Sequence, residues 1–219
     1  MPPPPRTAVF DLDGTLVDSA PDLHAALDRL MAGRNLPAFA RAEVVAMIGD
    51  GVEALVRRAF AARGLPFDPA AVEVFSADYT AHAAVETRPY PGMAECLAAL
   101  AAGGWRLAVC TNKPAAVTHA LLRALGLDGC FAAVGGGDSF PVRKPDPRHL
   151  LATLTAAGGM PERAAMIGDH RNDVLAARGA GLPCLFAAWG YGPPEMAAGA
   201  AAVAATPGAL PALLRDLLP

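Results

Sequence analysis

Four aspartates are the residues of this sequence best suited to chemistry. Asp11 and Asp13 follow a short apolar run near the start of the chain, and Asp169 and Asp173 follow another apolar run further on. Carboxylates that are held together repel one another and are costly to remove from water, so a cation has to offset them. One ammonium group would not suffice. A hard divalent cation with oxygen ligands meets the need, and Mg²⁺ is the usual one where a phosphate completes the octahedron.

A phosphoryl group suits the polar residues that follow other apolar runs. Thr111 offers a hydroxyl and Lys144 an ammonium. These groups, with the backbone N–H groups of strand-to-helix turns, can donate to phosphoryl oxygens. Asp11 and Asp13 precede Gly14, whose turn would let the two side chains diverge and do different work. One could attack phosphorus to form an aspartyl-phosphate while the other carries a proton.

Short apolar runs that alternate with helical patterns predict the elements that must carry these residues. Thr7–Phe10 is typical of a buried strand, and from Pro89 onward strands alternate with helices. The further predicted strands are Arg106–Cys110, Cys130–Val134, Ala164–Ile167, Pro183–Ala187 and a short one at Val203; the predicted helices are Met93–Ala102, Pro114–Leu125, Pro147–Ala157, Asn172–Arg178 and Pro207–Leu217. The alternation favours an α/β fold whose parallel sheet is covered by helices on both faces.

The segment from Ala20 to about Arg88 interrupts this alternation. It has Leu, Ala and Val at helical spacing, punctuated by Gly and Pro, and no pattern typical of a strand. We expect about four helices that form a small all-helical cap, inserted after the first strand and placed over one edge of the sheet. The expected domains are a core of residues 1–18 and 89–219 and a cap of residues 19–88.

The expected sheet would gather the chemical residues in one crevice. Ligands of open α/β sheets bind outside the carboxyl ends of the strands. The polar residues that follow predicted strands are Asp11, Asp13, Thr111, Asn112, Lys144, Asp169 and Asp173. The sequence therefore predicts one acidic, cation-binding site at this edge of the sheet.

Four ordered motifs resemble those of the haloacid dehalogenase superfamily. Asp11-Leu-Asp-Gly-Thr-Leu-Val-Asp-Ser looks like the first motif and Thr111-Asn like the second. Lys144-Pro looks like the third and Gly168-Asp-His-Arg-Asn-Asp173 like the fourth. An Asp-x-Asp pair alone would be weak evidence, but four motifs in order on matching elements are specific. The resemblance covers essentially the whole chain and implies a Rossmann-like core with an inserted helical cap.

The resemblance implies roles in phosphomonoester hydrolysis. Asp11 would be the nucleophile, and Asp13 would protonate the leaving oxygen and then activate water. Thr111 and the N–H of Asn112 would hold the phosphoryl group. Lys144 would neutralise both that group and Asp11.

The same resemblance implies a Mg²⁺ site. The ligands would be the carboxylates of Asp11 and Asp169 and the main-chain carbonyl of Asp13. Asp173 would lie nearby, either through water or as a partner of Lys144.

Individual residues within these motifs reduce the range of reactions and substrates that the resemblance implies. The dehalogenases have no carboxylate at the position of Asp13, and the phosphonate-cleaving relatives use a cap lysine that this cap lacks. Thr111-Asn-Lys-Pro and Gly136-Gly-Asp-Ser-Phe-Pro-Val-Arg-Lys-Pro-Asp-Pro are similar to phosphoglycolate phosphatases in particular. We therefore expect 2-phosphoglycolate as the substrate. The alternatives are another small-metabolite phosphatase, a sugar phosphomutase, or a non-catalytic phosphate-binding protein.

The charge, the apolar segments and the cysteines of the chain indicate which partners and which cellular location to expect. A net charge of −3 without a Lys/Arg cluster excludes a nucleic-acid footprint, and every apolar segment is interrupted before it could span a membrane. Residues 1–7 contain four prolines and predict a short solvated tail. The four cysteines form no Cys-x-x-Cys pair, so we expect buried free thiols in a cytoplasmic protein. The expected partner is a small phosphorylated metabolite.

Three features of the sequence have two interpretations each. Gly49-Asp-Gly51 either offers backbone N–H groups to a substrate carboxylate or is an interhelix turn with Asp50 as cap. His170 either lines the cleft or faces solvent. Gly135-Gly-Gly favours a tight turn that brings Lys144 inward over a phosphate loop, because it lacks the P-loop lysine spacing.

Overall fold

Six parallel strands form the central sheet of the computed structural model, which describes residues 4–219. The strands are β1 (Thr7–Phe10), β4 (Arg106–Cys110), β5 (Ala133–Gly135), β6 (Ala164–Gly168), β7 (Cys184–Ala187) and β8 (Ala202–Ala204), in the spatial order β5-β4-β1-β6-β7-β8. The predicted α/β fold is confirmed. The prediction of a solvated tail extends over residues 1–3, which lie outside the described residues.

β1 lies at the centre of the sheet because it is apolar on both faces. All four of its residues are buried, as expected for a strand covered by helices on either side. Phe10 is level with Val109 of β4 and with Ile167 of β6. The chain leaves these three neighbouring strands at nearly the same height. The strand order also reverses direction at β1, and such a switch point is where α/β sheets bind ligands.

Alternate residues of β1 belong to two separate hydrophobic clusters. Ala8 and Phe10 pack with α5 (Met93–Ala102), α6 (Ala115–Ala124) and α9 (Leu210–Leu217). On the opposite face, Val9 packs with α7 (Pro147–Ala156) and α8 (Arg171–Ala180). The period of two along a strand therefore gives the core its three layers. Among residues 4–219 no helix is both long and apolar enough to cross a membrane.

Four helices lie between the first and second strands of the sheet and form their own hydrophobic cluster. They are α1 (Ala20–Ala32), α2 (Arg41–Val45), α3 (Val52–Ala62) and α4 (Ala70–His82). α1 buries Leu23, Ala26, Leu27, Leu30 and Met31, which follow the spacing of one helical face. The number of helices agrees with the expectation from sequence, while the domain limits of residues 19–88 stay a prediction.

Local structure differs from the expectation at three places. A two-residue ribbon, β2 (Val17–Asp18) paired with β3 (Arg88–Pro89), frames the helical segment and is too short to show a period in the sequence. Asp128–Cys130 form a 3-10 turn closed by a bond from Cys130 N to Leu127 O, so the strand predicted from Cys130 begins only at Ala133. All four cysteines are free, but Cys130 is exposed and the expectation of burial is wrong there.

Asp22 ties the start of α1 to the segment that returns to the sheet. Its carboxylate is 3% exposed and accepts hydrogen bonds from Glu86 N at 2.9 Å and Thr87 N at 2.9 Å. The Thr87 hydroxyl donates a third bond at 2.7 Å. These three hydrogen bonds to one buried carboxylate hold the two ends of the helical segment together. If Asp22 were replaced by an apolar residue, all three donors would lose their acceptor.

We predict that Asp22→Ala lowers the free energy of unfolding by about 2–3 kcal/mol, because buried donors to a charged acceptor are left unsatisfied. Urea unfolding followed by circular dichroism measures the change. The control is Asp216→Ala at an exposed aspartate of α9, which we expect to change stability by less than about 0.5 kcal/mol. Equal effects of the two substitutions would contradict the role given to Asp22.

Candidate active site

Asp11 follows β1 directly, and its carboxylate has one occupied and one open side. Oδ1 accepts from the Leu12 N–H at 2.7 Å and lies 2.9 Å from the Lys144 ammonium. The Asp11 N–H donates to Ile167 O of β6 at 2.8 Å, which fixes the backbone at the strand end. Because both contacts go to Oδ1, Oδ2 is the oxygen left to face the cleft.

Asp169, which follows β6, and Asp173, in the first turn of α8, complete an acidic cluster with Asp11. Each of the three buried residues has a carboxylate oxygen within 4.8 Å of the others. Burial, followed by the charges of Asp11 and Asp173, raises the pKa of Asp169 to about 8. Burial also raises the pKa of Asp11 to about 6, in spite of the nearby Lys144. The cluster is short of positive charge, and its hard oxygen donors suit a divalent cation.

The backbone and the neighbouring hydroxyl hold the acids in place. Asp169 accepts from the Thr15 hydroxyl at 2.7 Å and from the Tyr191 N–H at 2.8 Å. Asp173 accepts from the His170 N–H at 3.0 Å and from Lys144 at 2.6 Å. The resemblance implies that Asp173 either reaches the metal site through water or pairs with Lys144. In the structure it pairs with Lys144.

Lys144 lies between Asp11 and Asp173 and is almost completely buried. Burial disfavours its charge, but the two carboxylates outweigh burial and raise the pKa of Lys144 above its usual value. The ammonium is therefore positively charged at every physiological pH. An ammonium in this position is suited to contact a phosphoryl oxygen as well.

His149 and the glycines after β5 fix the loop that carries Lys144. The Lys144 N–H donates to His149 Nδ1 at 3.2 Å, and His149 Nε2 lies 3.0 Å from Gly136 O. Burial and then the charge of Lys144 lower the pKa of His149 to about 4, so the ring is neutral and bridges the two backbone groups. A Cβ at Gly136 or Gly137 would collide with the backbone of the β4–α6 loop. The glycines serve close packing, as expected from the tight-turn interpretation.

Thr111 and Asn112 lie at the carboxyl end of β4, beside Asp11 in the same cleft. Asn112 Nδ2 donates to Lys144 O at 3.0 Å and to Gly49 O at 3.1 Å. The Asn112 side chain therefore joins three loops. The prediction that its backbone N–H, rather than its amide, meets the phosphoryl group is compatible with this geometry.

Lys113 is the functional residue that the sequence reasoning did not assign. Its ammonium lies 2.9 Å and 3.1 Å from the two carboxylate oxygens of Asp13 and 2.6 Å from the Tyr79 hydroxyl. Ser19 donates to Asp13 Oδ1 at 2.6 Å. The available signal was that Lys113 is one of only two lysines in the chain and adjoins Thr111-Asn112.

The Gly49–Gly51 turn and His170 lie at the mouth of the site. Asp50 Oδ1 accepts from Asn172 Nδ2 at 2.6 Å, and Arg58 pairs with the same carboxylate. Gly51 precedes the first turn of α3. The His170 ring is half-buried, faces Gly49 and lines the cleft, which agrees with the first of its two interpretations.

The core and the helical segment supply chemically different walls of one cleft. It contains about 460 Å³ of empty space, including the open solvent at its mouth. The polar wall from the core is Asp11, Asp13, Thr111, Asn112 and Lys113, and the wall from the helical segment is Leu23, Ile48, Gly49, Gly51, Val52, Leu55 and Tyr79. The structure thus brings every residue predicted for the site to one edge of the sheet.

Comparison with known proteins agrees with this geometry. The family model of haloacid dehalogenase-like hydrolases matches residues 5–181. The phosphoglycolate phosphatase of Caulobacter vibrioides is 47% identical over 189 residues, which are 84% of this chain and 80% of the relative. That of Agrobacterium fabrum is 44% identical over 188 residues, with 84% and 81% covered.

Solved structures agree as well. A predicted phosphoglycolate phosphatase from Haemophilus somnus superposes with a TM-score of 0.84 at 30% identity, covering 95% of this chain and 97% of the other. CbbY from Rhodobacter sphaeroides, solved in complex with phosphate, gives 0.81 at 25% identity with 94% and 96% covered.

The acidic cleft at the switch point of a parallel sheet, taken with these relatives, defines a phosphatase. The chain belongs to the haloacid dehalogenase-like hydrolases, as its four motifs predicted, and is similar to the phosphoglycolate phosphatases among them.

We predict that stability without a divalent cation falls as pH rises from about 5 to about 8. Unfolded Asp169 releases its proton near pH 3.9, whereas the folded residue keeps it to about pH 8. The folded state therefore binds more protons in this window, and raising the pH favours unfolding. Urea unfolding in EDTA at several pH values measures the slope.

Asp169→Asn should make this decline shallower, because position 169 then no longer titrates. Asp216→Asn, at an exposed aspartate, is the control and should leave the slope as it is. An unchanged slope in Asp169→Asn would rule out the explanation.

Proposed function

We propose that this protein hydrolyses phosphomonoesters through an aspartyl-phosphate on Asp11, with Mg²⁺ as cofactor and 2-phosphoglycolate as the favoured substrate. The observation that supports the proposal is the place of Asp11, which lines the cleft with Oδ2 outside the two contacts of Oδ1 and with Lys144 and two more buried carboxylates around it. A nucleophile held by a strand end and a cation needs little rearrangement to attack phosphorus.

Asp11 and Asp13 divide the chemistry of the reaction. Asp11 Oδ2 forms a bond to phosphorus as the ester P–O bond breaks, and Asp13 gives its proton to the leaving oxygen. A water molecule then attacks the phosphorus of the aspartyl-phosphate and passes a proton to Asp13. Phosphate and an alcohol are the products, and both carboxyl groups return to their starting state. The Ser19 and Lys113 contacts support Asp13 in this role, since they hold it beside the cleft.

Thr111, the N–H of Asn112 and Lys144 bind the phosphoryl oxygens in this proposal. Thr111 and Asn112 line the same cleft as Asp11, and the Lys144 ammonium is already 2.9 Å from that nucleophile. Positive charge and N–H donors beside the phosphoryl group stabilise the charge that spreads over its oxygens during transfer.

Mg²⁺ would be held by the carboxylates of Asp11 and Asp169 and by the main-chain carbonyl of Asp13. The raised pKa values of Asp11 and Asp169 support such a site, because they mark a cluster that lacks compensating charge. When bound, Mg²⁺ supplies positive charge to the phosphoryl oxygens. Asp173 contributes by holding Lys144, since its two oxygens already accept from Lys144 and His170.

The relatives' names and the small cleft support 2-phosphoglycolate over larger phosphate esters. The cap wall lies within the same cleft as the nucleophile, so a bound substrate would be shielded from bulk water on that side. We also propose a cytoplasmic location, which the free cysteines support.

Asp11→Asn should reduce hydrolysis of p-nitrophenyl phosphate by at least ~10³-fold in the presence of Mg²⁺, because the attacking carboxylate is removed. Initial rates with and without EDTA measure the loss, and Asp216→Asn is the matched carboxylate-to-amide control. A variant that keeps wild-type activity would refute the mechanism. An inactive wild type would favour a phosphate-binding protein, and full turnover without added sugar would count against a phosphomutase.

Mg²⁺ should raise the thermal midpoint of the wild-type protein, and more so near pH 8 than near pH 5.5, because protons compete with the cation for the carboxylates. Differential scanning fluorimetry with Mg²⁺, against NaCl of equal ionic strength, measures the shift. In Asp169→Asn the shift should be lost. A shift that is independent of pH and persists in that variant would argue against this metal site.

A further inference from the structure

Lys113 places a positive charge in the cleft beside Asp13, on the side of the leaving group rather than of the nucleophile. Its side chain is 2% exposed, and its partners are Asp13 of the core and Tyr79 of α4. Both contacts are short, at 2.9 Å to Asp13 Oδ1 and 2.6 Å to the Tyr79 hydroxyl, so the ammonium is held in an ion pair. Burying an ammonium is costly. A residue kept charged in this place, beside the proton carrier rather than the nucleophile, calls for a further function.

Both oxygens of Asp13 accept hydrogen bonds, but Oδ2 has a single, longer one, which a bond to the substrate can replace. Oδ1 accepts from Ser19 at 2.6 Å and from Lys113 at 2.9 Å, while Oδ2 has the longer Lys113 contact of 3.1 Å. When Oδ2 faces the leaving oxygen of a substrate, the N–H of Lys113 that points to it becomes available. An ammonium has three donors, so it can serve Asp13, Tyr79 and one further acceptor together.

The leaving group must therefore enter a region that contains both an acid and an ammonium. A hydrogen bond spans about 2.9 Å, so Lys113 lies roughly two hydrogen-bond lengths from an oxygen bound to Asp13 Oδ2. In an ester of a 2-hydroxy acid, the carboxylate carbon is about 2.4 Å from the ester oxygen by ordinary bond geometry. A carboxylate attached there reaches Lys113 without moving the phosphoryl group.

Lys113 brings a cation to this side of the cleft. Its other walls near the leaving group are Asp13 and the apolar residues Leu23, Ile48, Val52, Leu55 and Tyr79. A second negative charge would be poorly solvated by the apolar wall. A neutral alkyl leaving group does not meet this obstacle, so binding an anionic one depends on Lys113.

We propose that Lys113 is the specificity-determining residue that binds the carboxylate of phosphate esters carrying an anionic group one carbon from the ester oxygen. This inference rests on the proposed hydrolysis and adds the substrate class and the residue that selects it. Tyr79 positions the ammonium through its hydroxyl and its ring, whose centroid is 4.4 Å from Nζ.

The test compares 2-phosphoglycolate with its neutral amide, 2-(phosphonooxy)acetamide, which has the same shape and an alcohol leaving group. The quantity is the ratio of kcat/KM for the acid to kcat/KM for the amide, with Mg²⁺ present. We expect the wild type to favour the acid at least ~10-fold, and Lys113→Gln to lower this ratio at least ~10-fold. Both absolute rates should fall, because Asp13 loses its ion pair.

Two further variants make the comparison decisive. Lys113→Met, of equal length and without a charge, replaces Lys113→Gln if circular dichroism shows that the latter does not fold. Arg143→Met is the matched control, because Arg143 is an exposed cation near the same cleft. Its Nη1 atom lies close to Gly51, at 3.3 Å from the position that a Cβ on Gly51 would occupy. This substitution should change the ratio less than ~2-fold.

The possible failures are distinguishable. A ratio unchanged in both Lys113 variants, with both rates lowered, would show that Lys113 only positions Asp13 and would overturn the inference. A wild-type ratio near one, or a loss confined to Arg143→Met, would overturn it equally. In each of these cases the enzyme still hydrolyses phosphate esters. The proposed function itself would be refuted if the wild type released no phosphate from either ester or from p-nitrophenyl phosphate.

Discussion

Repulsion among three buried carboxylates shapes the rest of the site. Asp11, Asp169 and Asp173 have oxygens within 4.8 Å of one another, and one ammonium, that of Lys144, lies between two of them. Burial is the main cause that raises the pKa of Asp11 and of Asp169, and the charge of the neighbouring acids raises both further. The surrounding backbone N–H groups and the Thr15 hydroxyl hold the acids in position. Such a cluster gains stability when additional positive charge enters it, which ties folding to ligand binding.

The sheet makes this crowding possible. β1, β4 and β6 lie side by side in parallel, so the residues that follow them reach the same edge. Gly14 is essential to the approach: its φ is +83°, and a Cβ there would collide with the carboxylate of Asp169. A residue with a side chain would strain the turn and separate the loops after β1 and β6. The acidic cluster is therefore a consequence of strand order and of one glycine that lets two loops touch.

The core provides the charged groups of the cleft, and the cap provides the apolar wall that limits its shape. Polar groups line the sheet side of the cleft and apolar side chains line the other, and Tyr79 joins the two through Lys113. The same pairing links the position of Asp13, the proton carrier of the proposed mechanism, to a helix of the cap. Asn112 and Asn172 both donate to Gly49 O, so the mouth of the cleft is also held across this boundary. Changes in the cap can therefore affect Asp13 and Lys113 without touching Asp11.

The sequence alone determined the α/β class, the strands that carry the motifs and the residues gathered at their carboxyl ends. Buried parallel strands are continuous apolar runs, so the polar residue that ends such a run can be recognised in the sequence alone. Only the tertiary structure decided which side chains meet: Lys113 with Asp13, Asp173 with Lys144, and the exposure of Cys130. Lys113 and Asp13 are 100 residues apart, and neither residue carries a local signal of the other. Such contacts depend on loop paths and side-chain reach, which short-range patterns do not encode.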